Sequence, residues 1–112
     1  MASVLAVKNL FAEIPRQIPE EIFEILFQNP HARIERIVSR QHVTLPGQWY
    51  DQSNDEWVLL LAGGALLRID GREELLTMTP GDWILLPAHV RHRVERTDNS
   101  RDTIWLSIHV TK

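Results

Sequence analysis

The chain has 112 residues, 44% of them hydrophobic and 24% charged, with no Cys and a formal net charge of -3. That length suits one domain, which buries roughly 65% of its unfolded surface without covalent staples. The missing Cys excludes disulfide and thiolate chemistry, so any metal has to be held by His, carboxylate or other oxygen donors. The acidic balance, with Arg scattered among Glu and Asp, argues against nucleic acid as a partner.

The opening MASVLAVKNLF has no basic leader and only a short apolar stretch. The longest apolar run, WVLLLA at 57–62, is about a third of a membrane span. The expectation is a cytoplasmic protein with no membrane partner. Residues 18–29, IPEEIFEILFQN, then predict the chain's one helix. Ile18, Ile22, Ile25 and Leu26 form a stripe at i, i+4, i+7 and i+8, widened by Phe23 and Phe27. Pro19, Glu20 and Glu21 suit its first turn, and Asn29-Pro30 stops it. The helix is expected to cover a sheet or a partner subunit, giving an N-terminal arm and helix over 1–30 and a barrel over 31–112.

After Pro30 the period falls to two and turn signals recur: Pro46-Gly47, Gly63-Gly64, Asp70-Gly71, Pro80-Gly81, Pro87 and Asp98-Asn99. Between them lie about seven predicted strands: RIERIVS, HVT at 42–44, EWVLLLA, ALLRID, DWILLP, HRVERT and TIWLSIHV. Asp70-Gly71 reads as the two-residue turn of a hairpin. Many short strands with Gly and Pro turns predict an all-β sandwich or barrel.

Parity along these strands places the polar residues. His92 and Val94 point one way and Arg91, Arg93 and Glu95 the other, so His92 faces inward. Glu56 begins an apolar face with Val58 and Leu60, while Trp57, Leu59 and Leu61 make an equally apolar opposite face that needs cover. In TIWLSIHV, Trp105, Ser107 and His109 share one face and Ile104, Leu106, Ile108 and Val110 the other. Parity leaves open which of the two lines the interior.

Two segments resemble the signature motifs of the cupin family of jelly-roll barrels, G-x5-H-x-H-x(3,4)-E-x6-G and G-x5-P-x-G-x2-H-x3-N. GDWILLPAHVRHRVER at 81–96 matches the second at Gly81, Pro87 and His92, with His89 in place of the middle Gly and Arg96 in place of Asn. Glu56 and Gly63 match the second half of the first motif. Its two His positions fall on Tyr50 and Gln52, or on Trp49 and Asp51, and its opening Gly has no match in register, Gly47 being displaced. The resemblance covers about residues 40–110 and implies a cupin-type jelly-roll β-barrel. It leaves the reaction open, because one fold serves many chemistries.

The family's usual metal site takes two His and a Glu from the first motif and a His from the second. Only Glu56 and His92 carry over. With His89 and Asp51 as replacement donors, the resemblance implies a divalent metal (Zn, Mn, Fe or Ni). Glu56 and His92 are also the candidate catalytic pair, since burial moves a carboxylate toward the range useful for proton transfer. Trp49, Tyr50, Gln52, Trp105 and His109 are the candidate ligand-binding residues. His42 and His31 read as structural or exposed, and Trp57 and Trp83 as packing residues. Three functions follow: a metal-binding cupin, enzymatic or not, acting on a small organic molecule; a metal-free small-molecule binding module; or a sensor domain that assembles as a homodimer.

Overall fold

The computed structural model describes residues 5–111, so the first four residues of the N-terminal arm and Lys112 lie outside the described residues. Eight strands follow in order: β1 Ile22–Gln28, β2 Ala32–Ser39, β3 Asp55–Ala62, β4 Ala65–Ile69, β5 Leu75–Met78, β6 Trp83–Leu86, β7 His92–Thr97 and β8 Thr103–Val110. They form a five-stranded sheet ordered β1-β2-β8-β3-β6 and a three-stranded sheet ordered β5-β4-β7. All pairings are antiparallel.

The expected helix over 18–29 is not formed, and no helix occurs among the described residues. Ile22–Gln28 is instead the edge strand β1, paired with β2 from Ile22↔Val38 to Gln28↔Arg33, with an irregularity between Ile25 and Phe27. The segment is so dense in Ile, Leu and Phe that it satisfies a 3.6 period and a strand equally well. The open hydrogen-bonding edge of β2 decides between them, because a strand there satisfies the backbone of both segments. Glu24 seals the pairing with an ion pair to Arg36 at 2.7 Å. The domain boundary expected at residue 30 therefore falls in the turn between two strands of one sheet.

The other strand expectations hold to within a residue or two, except HVT at 42–44, which is not a strand. LLTM at 75–78, expected only as the far arm of the hairpin, is β5. That hairpin forms, with Arg68↔Leu75 as its last pair, so its loop is longer than two residues. Asp70-Gly71 still sits at the centre of a turn closed by Arg72 N–H to the Ile69 carbonyl at 3.0 Å, with Gly71 at φ 87°. Positive φ at the third position alone is the type II pattern, which favours Gly there.

Inward residues of the two sheets meet in a core of Val58, Leu60, Ala65, Leu67, Ile69, Met78, Leu86 and Trp105. Gly63 has φ 80°, and a Cβ there would stand 2.5 Å from Thr103 Oγ1 and 2.7 Å from Thr103 Cα. The close of the first motif is thus a place where β8 backbone passes too near for a side chain. On the outer face, Trp57 and Trp83 pack at 5.8 Å between ring centroids, and Trp83 remains 61% exposed.

Candidate functional site

Three neighbouring strands of the larger sheet turn a row of polar side chains inward. The register puts Glu56 opposite His109, Val58 opposite Ser107, and Glu35 opposite Ser107 on the other side. Parity then sends Glu35, Glu56, Ser107 and His109 to one patch of interior wall, each buried. This settles the orientation that the pattern of β8 left open: Trp105, Ser107 and His109 face inward. His92, the first residue of β7, meets them from the smaller sheet and is 6% exposed.

The patch is a connected network. Ser107 Oγ donates to Glu56 Oε2 at 2.6 Å. His109 Nε2 stands 3.1 Å from both Glu35 Oε1 and Ser107 Oγ, and 3.7 Å from Glu56 Oε2. His109 Nδ1 faces the Asn54 side-chain amide at 3.4 Å. Each polar atom here would be costly if left bare, and the network satisfies most of them mutually.

His92 is held differently. Its Nδ1–H donates to the Val90 carbonyl at 2.9 Å, and Tyr50 stacks on the ring at 5.4 Å with 21° between planes. A backbone carbonyl can only accept, so in the neutral ring the proton sits on Nδ1 and Nε2 carries the lone pair. That Nε2 lies 3.7 Å from Glu56 Oε1. Among the described residues neither atom has a hydrogen-bond partner. Both border a cavity of about 200 Å³ whose wall includes Tyr50, Gln52, Val58, Leu86 and Trp105.

Glu21, Phe23, Arg33 and Glu35 complete the wall on the side of β1 and β2. These four were not among the expected site residues. A helix over 18–29 gives no reason to place Glu21 and Phe23 on a barrel wall, whereas here Phe23 lies in β1 and Glu21 just before it, and both border the cavity. Arg33 and Glu35 shared a parity that only the pairing to β8 could orient. Burial pushes the Glu21 carboxyl above its ordinary range, opposed by a hydrogen bond from Ser39 and the nearby His42. Burial also raises the Tyr50 phenol, with Glu21 and Glu56 adding to the effect, so its hydroxyl stays a neutral donor at physiological pH.

Of the expected residues, Glu56, His92, Tyr50, Gln52, Trp105 and His109 all border the cavity. Trp49, Asp51 and His89 do not. Trp49 lies under Arg91 and Arg93, whose guanidinium carbons are 5.2 and 5.8 Å from the ring centroid. His89 pairs with Asp51 at 3.0 Å on the exposed side of the loops, with side chains 71% and 47% exposed. The β7-entry turn gives His89 φ 66°, a conformation for which the motif supplies Gly. His42 is structural: Nδ1 accepts from Arg40 N–H at 2.8 Å and Nε2 faces the Pro19 carbonyl at 3.2 Å.

This placement tests the expected metal set. His89 and Asp51 are bonded to each other away from the cavity. Glu56 Oε2 is occupied by Ser107, and His109 Nε2 is directed at Glu35 and Ser107. No group of three or more His, Cys, Asp or Glu gathered to hold a metal occurs among the described residues. The two open donors, His92 Nε2 and Glu56 Oε1, fall short of the three or more protein groups a divalent site commonly uses. The donor set does not fit the expected metal.

Residues 42–109 match the family model described as a cupin domain. The chain belongs to the cupin family. A structure from Ralstonia eutropha JMP134, of a protein provisionally assigned as a mannose-6-phosphate isomerase, is 42% identical to this cupin. It aligns over 96% of this chain and 100% of that one with a TM-score of 0.92. A protein from Thermus thermophilus has 16% identity over 96% of this chain and 98% of its own, with a TM-score of 0.76. A cupin superfamily protein from Desulfitobacterium hafniense DCB-2 has 18% identity over 88% and 84%, with a TM-score of 0.72. The last two likenesses show the fold alone. No protein of curated function matches the chain.

Proposed function

We propose that this cupin binds a small polar organic molecule in the barrel cavity and moves protons on it with Glu56 and His92, without a metal. The observation that carries this reading is the pair of open atoms, Glu56 Oε1 and His92 Nε2, 3.7 Å apart on one cavity wall. Each is fixed from behind, Glu56 by Ser107 and His92 by the Val90 carbonyl. A preset base costs no reorganisation when the proton moves. Tyr50, kept protonated, supplies a donor at the same wall. The Ralstonia relative's assignment as a sugar-phosphate isomerase agrees in kind, because sugar isomerisation shifts a proton between adjacent carbons. Trp83, Leu85 and Val110, 61%, 52% and 45% exposed, support a homodimer in which a second copy covers the outer face of the larger sheet.

Two measurements on the purified protein test the reading. The first is deuterium uptake from D2O into hydroxy-carbonyl compounds, expected to proceed in chelator and to fall at least about 100-fold in both His92→Gln and Glu56→Gln. The second is metal analysis of protein prepared without chelator. Stoichiometric first-row metal that disappears in those two variants, or exchange that stops in chelator, overturns the proposal.

A further inference from the structure

Among the described residues, Arg33 is the one Arg or Lys that borders the cavity, and its buried Nε has no hydrogen-bond partner. Glu35 Oε1 stands 3.6 Å from that Nε, close enough for an ion pair and too far for a hydrogen bond. The guanidinium donates no hydrogen bond to any described residue. The carboxylates of the same wall differ. Glu21 meets the Ser39 hydroxyl, Glu35 meets His109 Nε2 and Glu56 meets the Ser107 hydroxyl. The acids are answered from within the protein and the cation is not. With Nε buried and the side chain 39% exposed overall, the terminal Nη atoms are the part of the fork left to a ligand.

Strand register relates this cation to the two open atoms. Arg33 on β2 is opposite His109 on β8, and His109 is opposite Glu56 on β3. The three lie in one row across the sheet, with Arg33 and Glu56 two strand spacings apart, about 10 Å at the backbone. His92 Nε2 meets the Glu56 end from the other sheet at 3.7 Å. A ligand lying along the row has a cation at one end and the open pair at the other. The cavity, about 200 Å³, is below the ~300–1,000 Å³ of ordinary ligand pockets and suits only a short chain.

A carboxylate fits the Arg33 end better than a phosphate. Its single charge matches one guanidinium, and its two oxygens match two parallel N–H groups of the fork. A phosphate dianion would set its second charge against Glu35, with no Lys on the wall and no helix N-terminus among the described residues to offset it.

Resting on the function proposed above, we infer that the ligand is a hydroxy-carbonyl acid of about three or four carbons, whose carboxylate is held by Arg33 while its reacting carbons face Glu56 and His92. Both open atoms stay free for proton transfer. The inference separates this chain from the substrate named in its Ralstonia relative's assignment.

The test titrates three probes on one three-carbon frame into the full chain at neutral pH: glycerol, glycerate and glycerol 3-phosphate. None of them can be enolised, so binding is read apart from any chemistry. Glycerate should bind at least about 10-fold more tightly than glycerol, and the phosphate more weakly than glycerate. Glycerate, unlike glycerol, should shift the Arg33 Nε–H signal in 15N NMR spectra of the wild-type protein. In Arg33→Gln the advantage of glycerate over glycerol should vanish while the affinity for glycerol is unchanged, which a merely structural role would not produce. Arg33→Lys, which keeps the charge and loses the fork, should retain part of the advantage and keeps the test open if the first variant folds poorly. Equal affinity for glycerate and glycerol, tighter binding of the phosphate, no binding of glycerate, or an advantage that survives in Arg33→Gln overturns the inference. Those outcomes concern the anionic group only. The metal-free proton-transfer reading stands or falls separately, on metal content and deuterium exchange.

Discussion

Two imidazole–carboxylate pairs of almost identical length sit in different surroundings. His109–Glu35, at 3.1 Å, lies inside the barrel with side chains 4% and 11% exposed. His89–Asp51, at 3.0 Å, lies on the outer loops with side chains 71% and 47% exposed. Distance does not distinguish them; burial does. Inside, each polar atom that loses its partner has no water to replace it, so the pair is bound into a network with Ser107, Glu56 and Asn54. Outside, water competes for both partners and the geometry carries little energy. Alignment to the family motif selects the outer pair, and the fold places the inner one on the cavity wall.

The largest expected effect comes from breaking the inner pair on one side. His109→Leu fills the space but leaves Glu35 and Ser107 without their shared donor beside Glu56. A loss of about 3 kcal/mol in denaturant unfolding is expected. Replacing both partners, as in His109→Leu with Glu35→Leu, should recover a large part of that loss, because an apolar pair removes the desolvation cost along with the attraction. A double variant no more stable than the single one would mean that the network depends on Glu35 for its pairing to Arg33 rather than to His109.

The contrast also explains what was legible in the sequence. Six of the eight strands, the inward direction of His92 and Glu56, and the cupin resemblance all follow from period, turn residues and motif register, which are local signals. The interior row needed the strand order. Glu35, Ser107 and His109 become neighbours only because β2, β8 and β3 are adjacent, a long-range fact that no spacing encodes. The segment 22–28 was misleading for a related reason. Its apolar density fits two periods, and the deciding partner, β2, enters only through tertiary pairing. Trp49 and Asp51 were drawn toward the site by alignment to the missing His positions. In the structure those places are taken by Tyr50 and Gln52, the residues of the alternative register.

Glu21 stands between the two extremes and sharpens the comparison. Burial raises its carboxyl, so the folded state holds a proton more readily than the unfolded chain does. The sign follows from linkage. Glu21's contribution is fully present below the ordinary glutamate range and is lost as pH rises through the elevated folded value. Glu21→Gln should therefore flatten the stability profile above that range and reduce the loss seen on going to neutral pH. The effect should be smaller than that of His109→Leu, because the Ser39 hydroxyl can donate to an amide oxygen as well as to a carboxylate. Unfolding titrations at three or four pH values between 4 and 8 would show it, and an unchanged slope in the variant would place the pH response elsewhere.

The smallest effect is expected where the sequence pointed first. Asp51→Ala removes the outer pair's carboxylate, yet the loop keeps the His89 N–H to Gln52 carbonyl bond at 2.7 Å, which is backbone and unaffected by the change. Stability should move by no more than about 0.5 kcal/mol, with any difference fading in 0.5 M salt. Metal content and ligand affinity should be unchanged, since Asp51 does not border the cavity. A strong effect on affinity would mean that the loop carrying Asp51 and His89 closes over the ligand. The outer pair would then belong to the site through motion, and the division between the two pairs would no longer follow burial alone.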